Sequence, residues 1–174
     1  MNKALALKAL QTLDEKLATS TLPKVTLTVG GGGAMILKHD YSGATVDIDA
    51  VPSNIEFEEL KPFMEEVAKE LKIAPDWLNP YYQAFTVYLP KDSKNRMSDI
   101  YIGKKLLVKS LGPEEVLIMK LMAGRAKDMT HIKHLLKMKI DLSIVEKRLE
   151  ELVALFPKIA EKALDLLDDL TENT

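Results

Sequence analysis

Val25-Thr26-Leu27-Thr28-Val29-Gly30-Gly31-Gly32-Gly33-Ala34, followed by Thr45-Val46-Asp47-Ile48-Asp49-Ala50-Val51, is the stretch on which the fold turns. Residues 25–29 are β-branched or aliphatic and read as a strand. Four glycines break it, and Ala34-Met35-Ile36-Leu37 reads as a short helix. Residues 45–51 read as a second strand, stopped by Pro52. Side chains two apart in a strand share a face, so Asp47 and Asp49 are expected side by side, opposite Val46, Ile48 and Ala50. Paired carboxylates repel unless a cation sits between them. Mg²⁺ suits such a pair, because it takes oxygen ligands and shares them with substrate phosphates. Backbone N–H groups at the glycine turn, ahead of a helix N-terminus, are a place for an anion.

Outward from this stretch the chain alternates helices and strands. Leu5, Leu7, Leu10, Leu13 and Leu17 mark an amphipathic helix over residues 3–18. Apolar residues at helical spacing fill 56–71, with the helix starting near Lys61 and Pro62 in its first turn. Residues 74–80 are punctuated by Pro75 and Pro80 and hold the single tryptophan, Trp77. Residues 85–89 alternate weakly and read as a strand; 90–98 read as a polar loop. Residues 99–102 and 106–108 read as a hairpin around Gly103-Lys104-Lys105. After Gly112 the pattern is helical throughout: a helix from Pro113 with Glu114 and Glu115 in its first turn, then helices over about 127–138, 142–154 and 157–170. The expected fold is α/β (α+β), a mixed sheet flanked by helices with a C-terminal helical extension. Residues 1–110 form the expected core and 111–174 the helical region.

Composition bounds the function. The chain has 174 residues, 47% hydrophobic and 29% charged, as in ordinary globular proteins. It has no cysteine, which excludes disulfides and thiolate metal sites. No apolar run is long enough to span a membrane and the N-terminus is not a signal peptide, so a cytoplasmic location is expected. The net charge of −2 argues against a strong nucleic-acid binder. It is unevenly spread: residues 40–70 carry nine acids and two lysines (−7), and residues 104–139 carry nine Lys/Arg and three acids (+6). Two readings stay open, an acidic metal site beside a basic wall or ordinary solvated faces.

The glycine run and Asp-Ile-Asp at this spacing resemble the nucleotidyltransferase superfamily, whose signature is a Gly-Gly or Gly-Ser turn followed by Asp-x-Asp on the next strand. Val29-Gly30-Gly31-Gly32-Gly33-Ala34 and Thr45-Val46-Asp47-Ile48-Asp49 resemble the AbiEii/AbiGii toxin-like branch and related bacterial domains of unknown function. Asp76-Trp77-Leu78-Asn79 and Lys120-Leu121-Met122-Ala123-Gly124-Arg125-Ala126-Lys127-Asp128 match further elements of those domains, and the resemblance covers roughly residues 20–137. It implies transfer of a nucleotidyl group from an NTP to an acceptor, RNA (often tRNA) or protein, with an antitoxin as partner. Asp47 and Asp49 would hold Mg²⁺. Gly31, Gly32, Gly33, Thr45, Lys120 and Arg125 would bind the nucleotide, and Lys120 and Asp128 would complete the catalytic set. Arg125 has a second reading, a helical pair with Asp128.

The chain also departs from the pattern. Ser42-Gly43-Ala44 stands where many relatives have an arginine, and His131 where many have an acid. No third strand carboxylate is evident; Asp99 is the one candidate, against a surface role. The same fold without turnover, a nucleotide-binding or interaction module, is the competing reading. His131 and His134 could be metal-spaced or solvent-facing. His39 reads as a surface residue. Trp77, Tyr81 and Tyr82 could stack a base or pack a core. Met119, Met122, Met129 and Met138 read as packing between helices.

Overall fold

The computed structural model describes residues 1–172. By its internal contacts the chain divides into two compact units, Met1–Gln83 with Met97–Leu111, and Ala84–Arg96 with Gly112–Thr174. The architecture is mixed α/β with a five-stranded sheet, as the alternation predicts.

The first unit holds the sheet. Helix α1 spans Lys3–Leu17, capped by Asn2, whose side chain accepts from the Leu5 N–H at 2.9 Å. Strand β1 spans Val25–Val29, as expected. Helix α2 spans Gly31–Leu37, so the glycines are its first turn rather than a turn before it. Each interior glycine costs a helix about 1 kcal/mol relative to alanine; tertiary packing overrides that here, with Gly33 through Leu37 buried. Strand β2 spans Ile48–Pro52, shorter than expected at its start. Its ladder explains the difference. β2 pairs with β1 only from Ala50 onward, opposite Val29, where β1 ends. Residues 45–47 have no strand to join, and the Thr45 hydroxyl donates instead to the Asp47 carbonyl at 2.9 Å.

A 3₁₀ turn over Phe57–Leu60 leads into α3, Lys61–Leu71, with Pro62 in its first turn. The proline-punctuated segment supplies a strand that local pattern did not reveal: β3, Leu78–Asn79, parallel to β2. Strands β4 (Ser98–Ile102) and β5 (Leu106–Ser110) form the expected antiparallel hairpin. The buried Asp14 carboxylate of α1 fixes its turn by accepting from the Lys104 and Lys105 N–H groups at 3.0 and 2.7 Å. The strand order is β3-β2-β1-β5-β4, with β1 and β5 parallel.

Burial alternates along the strands. Val25, Leu27, Val29, Leu106, Val108, Ser110, Ile48 and Ala50 are buried. By register, Asp49, Thr28, Lys109 and Asp99 belong to the other face. Trp77 is fully buried and donates its indole N–H to the Met64 carbonyl at 3.2 Å, so it is core rather than a stacking platform.

The second unit is helical: α4 (Pro113–Ala123), α5 (Met129–Leu136), α6 (Leu142–Val153) and α7 (Pro157–Glu172). The expected helix over 127–138 is shorter, because Ala126–Asp128 form a 3₁₀ turn and Lys137 closes the C-terminus. Met119 and Met122 are buried; Met129 and Met138 are half-buried. The expected strand over 85–89 is absent. The segment Tyr81–Tyr88 is 3₁₀-helical, with the Leu89 N–H bonded to the Thr86 carbonyl at 3.1 Å. The Val87 and Tyr88 carbonyls accept from the Arg148 guanidinium at 3.1 and 2.9 Å, where a strand would need a neighbour. No described helix is long and apolar enough to cross a membrane.

Candidate functional site

The first unit brings the glycines and the aspartate segment together. The Gly30 N–H donates to the Asp49 carbonyl at 3.0 Å, joining the end of β1 to β2. Gly31 has φ +54°, the left-handed region that side chains disfavour. A methyl there would fall inside the van der Waals envelope of Asp49 Oδ2 and 3.2 Å from Asp49 Cγ. A methyl on Gly32 would lie 2.6 Å from Thr45 Oγ1. The Asp49 carboxylate and the Thr45 hydroxyl therefore rest on the backbone of the first turn of α2, and only glycine leaves them room. The first N–H groups of a helix have no intrahelical acceptor. Gly33 serves packing instead. A methyl there would meet Val29 Cγ1 and Ile48 Cγ2 at 3.0 and 3.2 Å, so this glycine seats α2 on the sheet.

Asp47 and Asp49 are both half-buried and flank the fully buried Ile48. Asp49 lies in β2; Asp47 lies in the bend before it, outside the strand expected to carry both. Tyr82 packs against Gly30, close enough to Asp49 to feel its charge. A methyl on Gly30 would touch its ring at 3.1 Å, and its hydroxyl donates to the Thr28 carbonyl at 2.9 Å. Burial pushes the Tyr82 phenol well up, and the Asp49 charge adds to that, so it stays a neutral donor. Of the three aromatics, Trp77 and Tyr82 are buried and Tyr81 is 70% exposed.

Two carboxylates suit Mg²⁺, which keeps water and phosphate oxygens in its remaining positions. Asp99 does not extend the set. It sits on edge strand β4, three strands from β2, about 14 Å at normal spacing, and pairs with Lys109 at 2.8 Å. Among the described residues no group of three or more His, Asp or Glu is placed to hold a metal. That includes His131 and His134. His39, expected at the surface, is buried, and its Nε2–H donates to the Leu111 carbonyl at 3.0 Å.

In the second unit Lys120, Arg125 and Asp128 do meet. Gly124 ends α4 with φ +58°, reversing the chain so that the following 3₁₀ turn returns to Lys120. Lys120 Nζ donates to Asp128 Oδ1 and Arg125 Nε to Asp128 Oδ2, both at 2.6 Å. Lys120 and Asp128 are buried; Arg125 is about half exposed. Arg125 thus pairs with Asp128, its second reading, but from the extended residue ahead of a 3₁₀ turn rather than along a helix. Burial pushes the Asp128 carboxyl up, but hydrogen bonds and charge from Lys120 and Arg125 outweigh it and hold the group below the usual range. His131 Nδ1 lies 3.9 Å from Asp128 Oδ1. Burial first, then the Lys120 charge, lowers its pKa to about 4, so the ring is neutral at pH 7.

Three features had no readable signature: the contact of Tyr82 with Gly30, the half-buried histidine beside Asp128, and the pairing of Asn79 with Asp49 across β3 and β2. Each depends on contacts that no local pattern records.

A glycine-headed helix seated against a carboxylate strand, on a mixed sheet, is the arrangement that the sequence resemblance implies. The chain belongs to the family described as "Nucleotidyltransferase of unknown function (DUF6036)", whose profile matches residues 8–166. No similar curated protein and no similar solved structure was found.

Proposed function

We propose that the chain is a Mg²⁺-dependent nucleotidyltransferase that moves a nucleotidyl group from an NTP to an RNA acceptor, tRNA in particular, as the toxin of a toxin–antitoxin pair in the AbiEii/AbiGii-like branch. The observation that carries this reading is the Asp49 carboxylate resting on Gly31, beside Thr45 on Gly32, in a chain of this family. In the reaction an acceptor hydroxyl oxygen bonds to the α-phosphorus and gives up its proton to solvent, the bond from that phosphorus to the bridging oxygen breaks, and pyrophosphate leaves with the electron pair. Asp47 and Asp49 would hold Mg²⁺, which supplies charge neutralisation at the attacking and leaving oxygens. The N–H groups of Gly31, Gly32 and Gly33 and the Thr45 hydroxyl would orient phosphate oxygens. In the helical unit Asp128 holds both Lys120, which is buried, and Arg125, which is half exposed and would be the cation of that unit able to meet a phosphate. The +6 balance over residues 104–139 favours RNA over a polypeptide acceptor only weakly, since phosphate contacts need a contiguous patch and not a sum along the chain.

The deciding experiment incubates purified protein with labelled NTP, Mg²⁺ and bulk RNA, beside Asp47→Ala and Asp49→Ala. Label transfer by the wild type alone is expected; equal transfer by all three removes these aspartates from the chemistry. A second reading, a nucleotide-binding or interaction module without turnover, is favoured by the lack of a third carboxylate beside Asp49 among the described residues. Calorimetry separates the two: tight NTP binding without label transfer favours the module.

A further inference from the structure

Residues 45–47 carry two candidate site groups without belonging to the sheet. β2 pairs with β1 only from Ala50 onward and with β3 only from Ile48. Val46 is 86% exposed, so its side chain adds little packing between Thr45 and Asp47. Yet a carboxylate that shares a metal ion with another has to keep its place to within about 0.5 Å. Something other than the ladder must hold this segment.

Residue 1 supplies the hold. The Thr45 N–H donates to the Met1 carbonyl at 3.0 Å, and the Met1 nitrogen donates to the Thr45 carbonyl. Two residues that exchange both bonds make the same ring as a hydrogen-bonded pair of an antiparallel ladder. Met1 is itself anchored. Asn2 caps α1 through the Leu5 N–H, and Ala6, Ala9, Leu10, Leu13 and Leu17 bury the helix face completely. The core thus fixes where α1 begins, and Met1 stands at that point. From Thr45 the hold passes to the site. Its Oγ1 lies where a methyl on Gly32 would come within 2.6 Å, and it donates to the Asp47 carbonyl at 2.9 Å.

We infer that the backbone of Met1 is a brace that positions Thr45 and Asp47, and through them one side of the candidate site; its role in the site rests on reading Asp47 as a metal ligand. Without residue 1, Thr45 loses the partners of both its N–H and its carbonyl. The Lys3–Asp40 pair, at 3.7 Å and with both side chains at least half exposed, ties the same connection farther upstream and does not replace them, because a surface pair of this kind contributes little. Neither bond of the brace uses the Met1 side chain. The effect therefore belongs to the presence of a residue at position 1 and not to its identity.

Three chains test this: the wild type, Asn2→Met, and Asn2→Met lacking residue 1, in which the Met at position 2 starts the chain. The last two share the loss of the Asn2 cap and differ only in residue 1; mass spectrometry verifies each start. Amide hydrogen exchange is followed by NMR at a temperature where all three are folded. Thr45 should exchange roughly tenfold faster in the shortened chain than in Asn2→Met, the scale of one net hydrogen bond. The Tyr41 N–H, bonded to the Met35 carbonyl at 3.1 Å, should exchange equally in both. Calorimetric titration with Mg²⁺ and ATP should show roughly tenfold weaker binding by the shortened chain alone. Equal Thr45 exchange in the two Asn2→Met chains overturns the brace. Faster exchange with unchanged Mg²⁺–ATP affinity overturns its role in the site. Absence of Mg²⁺–ATP binding by the wild type sinks the reading of Asp47 and Asp49, and Thr45 exchange then decides the brace by itself.

Discussion

Gly31→Ala is the substitution that most directly probes the contact between α2 and β2. Two costs follow from the structure. Gly31 sits at φ +54°, and placing a side chain in the left-handed region costs about 1 kcal/mol. The new methyl also overlaps the Asp49 carboxylate. That carboxylate ends a short side chain, so relief requires an off-rotamer swing worth about 0.5–1.5 kcal/mol. The sum is roughly 1.5–2.5 kcal/mol of stability. The two parts are separable. In an Asp49→Ala background the overlap disappears and only the backbone part, about 1 kcal/mol, remains. Urea denaturation of the wild type, both single variants and the double variant measures this cycle. Mg²⁺–NTP titration of the Gly31→Ala protein should show weakened binding, since the displaced carboxylate leaves the position from which it would hold Mg²⁺. A Gly31→Ala cost that is the same with and without the Asp49 carboxylate would refute the packing argument. Unchanged Mg²⁺–NTP binding in the single variant would refute the functional one.

Three further outcomes follow from buried charges. Arg96 holds the fully buried Glu115 at 2.6 Å and Asp92 at 2.7 Å; Arg96→Leu strands Glu115 and should cost about 3–5 kcal/mol by denaturant titration, whereas Asp92→Ala, at the solvent-screened end of the network, should cost far less. Asp128 is held below the usual carboxylate range, so its stabilisation is fully present above its unfolded value, about pH 4, and is lost as pH falls through the lower folded value; an Asp128→Asn chain should lack that acid-side loss and be less stable at pH 7, because the charge-assisted hydrogen bonds from Lys120 and Arg125 to the carboxylate are lost. His131 has a folded pKa of about 4, below its unfolded value near 6.5, so the unfolded chain binds the extra proton between those limits and stability falls as pH drops from about 6.5 to about 4. His131→Gln should flatten that slope, and the His131 ring signals in NMR should not titrate between pH 6 and 8.

The local elements were legible wherever one short segment carries its own reason. Leucines at helical spacing specify α1, the aliphatic run 25–29 specifies β1, and prolines at 113 and 157 open α4 and α7. The hairpin of β4 and β5 follows from two short apolar runs around Gly103. The candidate site was half legible: glycines and two aspartates at this spacing stand out in the chain, and a lysine, an arginine and an aspartate fall within one short motif.

Tertiary structure decided whatever depends on a distant partner. Whether residues 45–47 extend β2 depends on where β1 ends, and β1 ends because its glycines become the first turn of α2. Whether 85–89 is a strand depends on which group takes its carbonyls; Arg148 takes two of them. A two-residue β3 is invisible to any periodicity, since it exists only as a ladder with Ile48 and Asp49. The glycine run by itself says that the backbone is permissive there; only the packing shows that Gly31 is open because Asp49 fills the space. Sequence patterns record what neighbours within one helical turn or strand require of each other. Contacts between separate elements leave no local periodicity, and the carboxylate on Gly31, the histidine beside Asp128 and the amide beside Asp49 are all contacts of the structure rather than of the pattern.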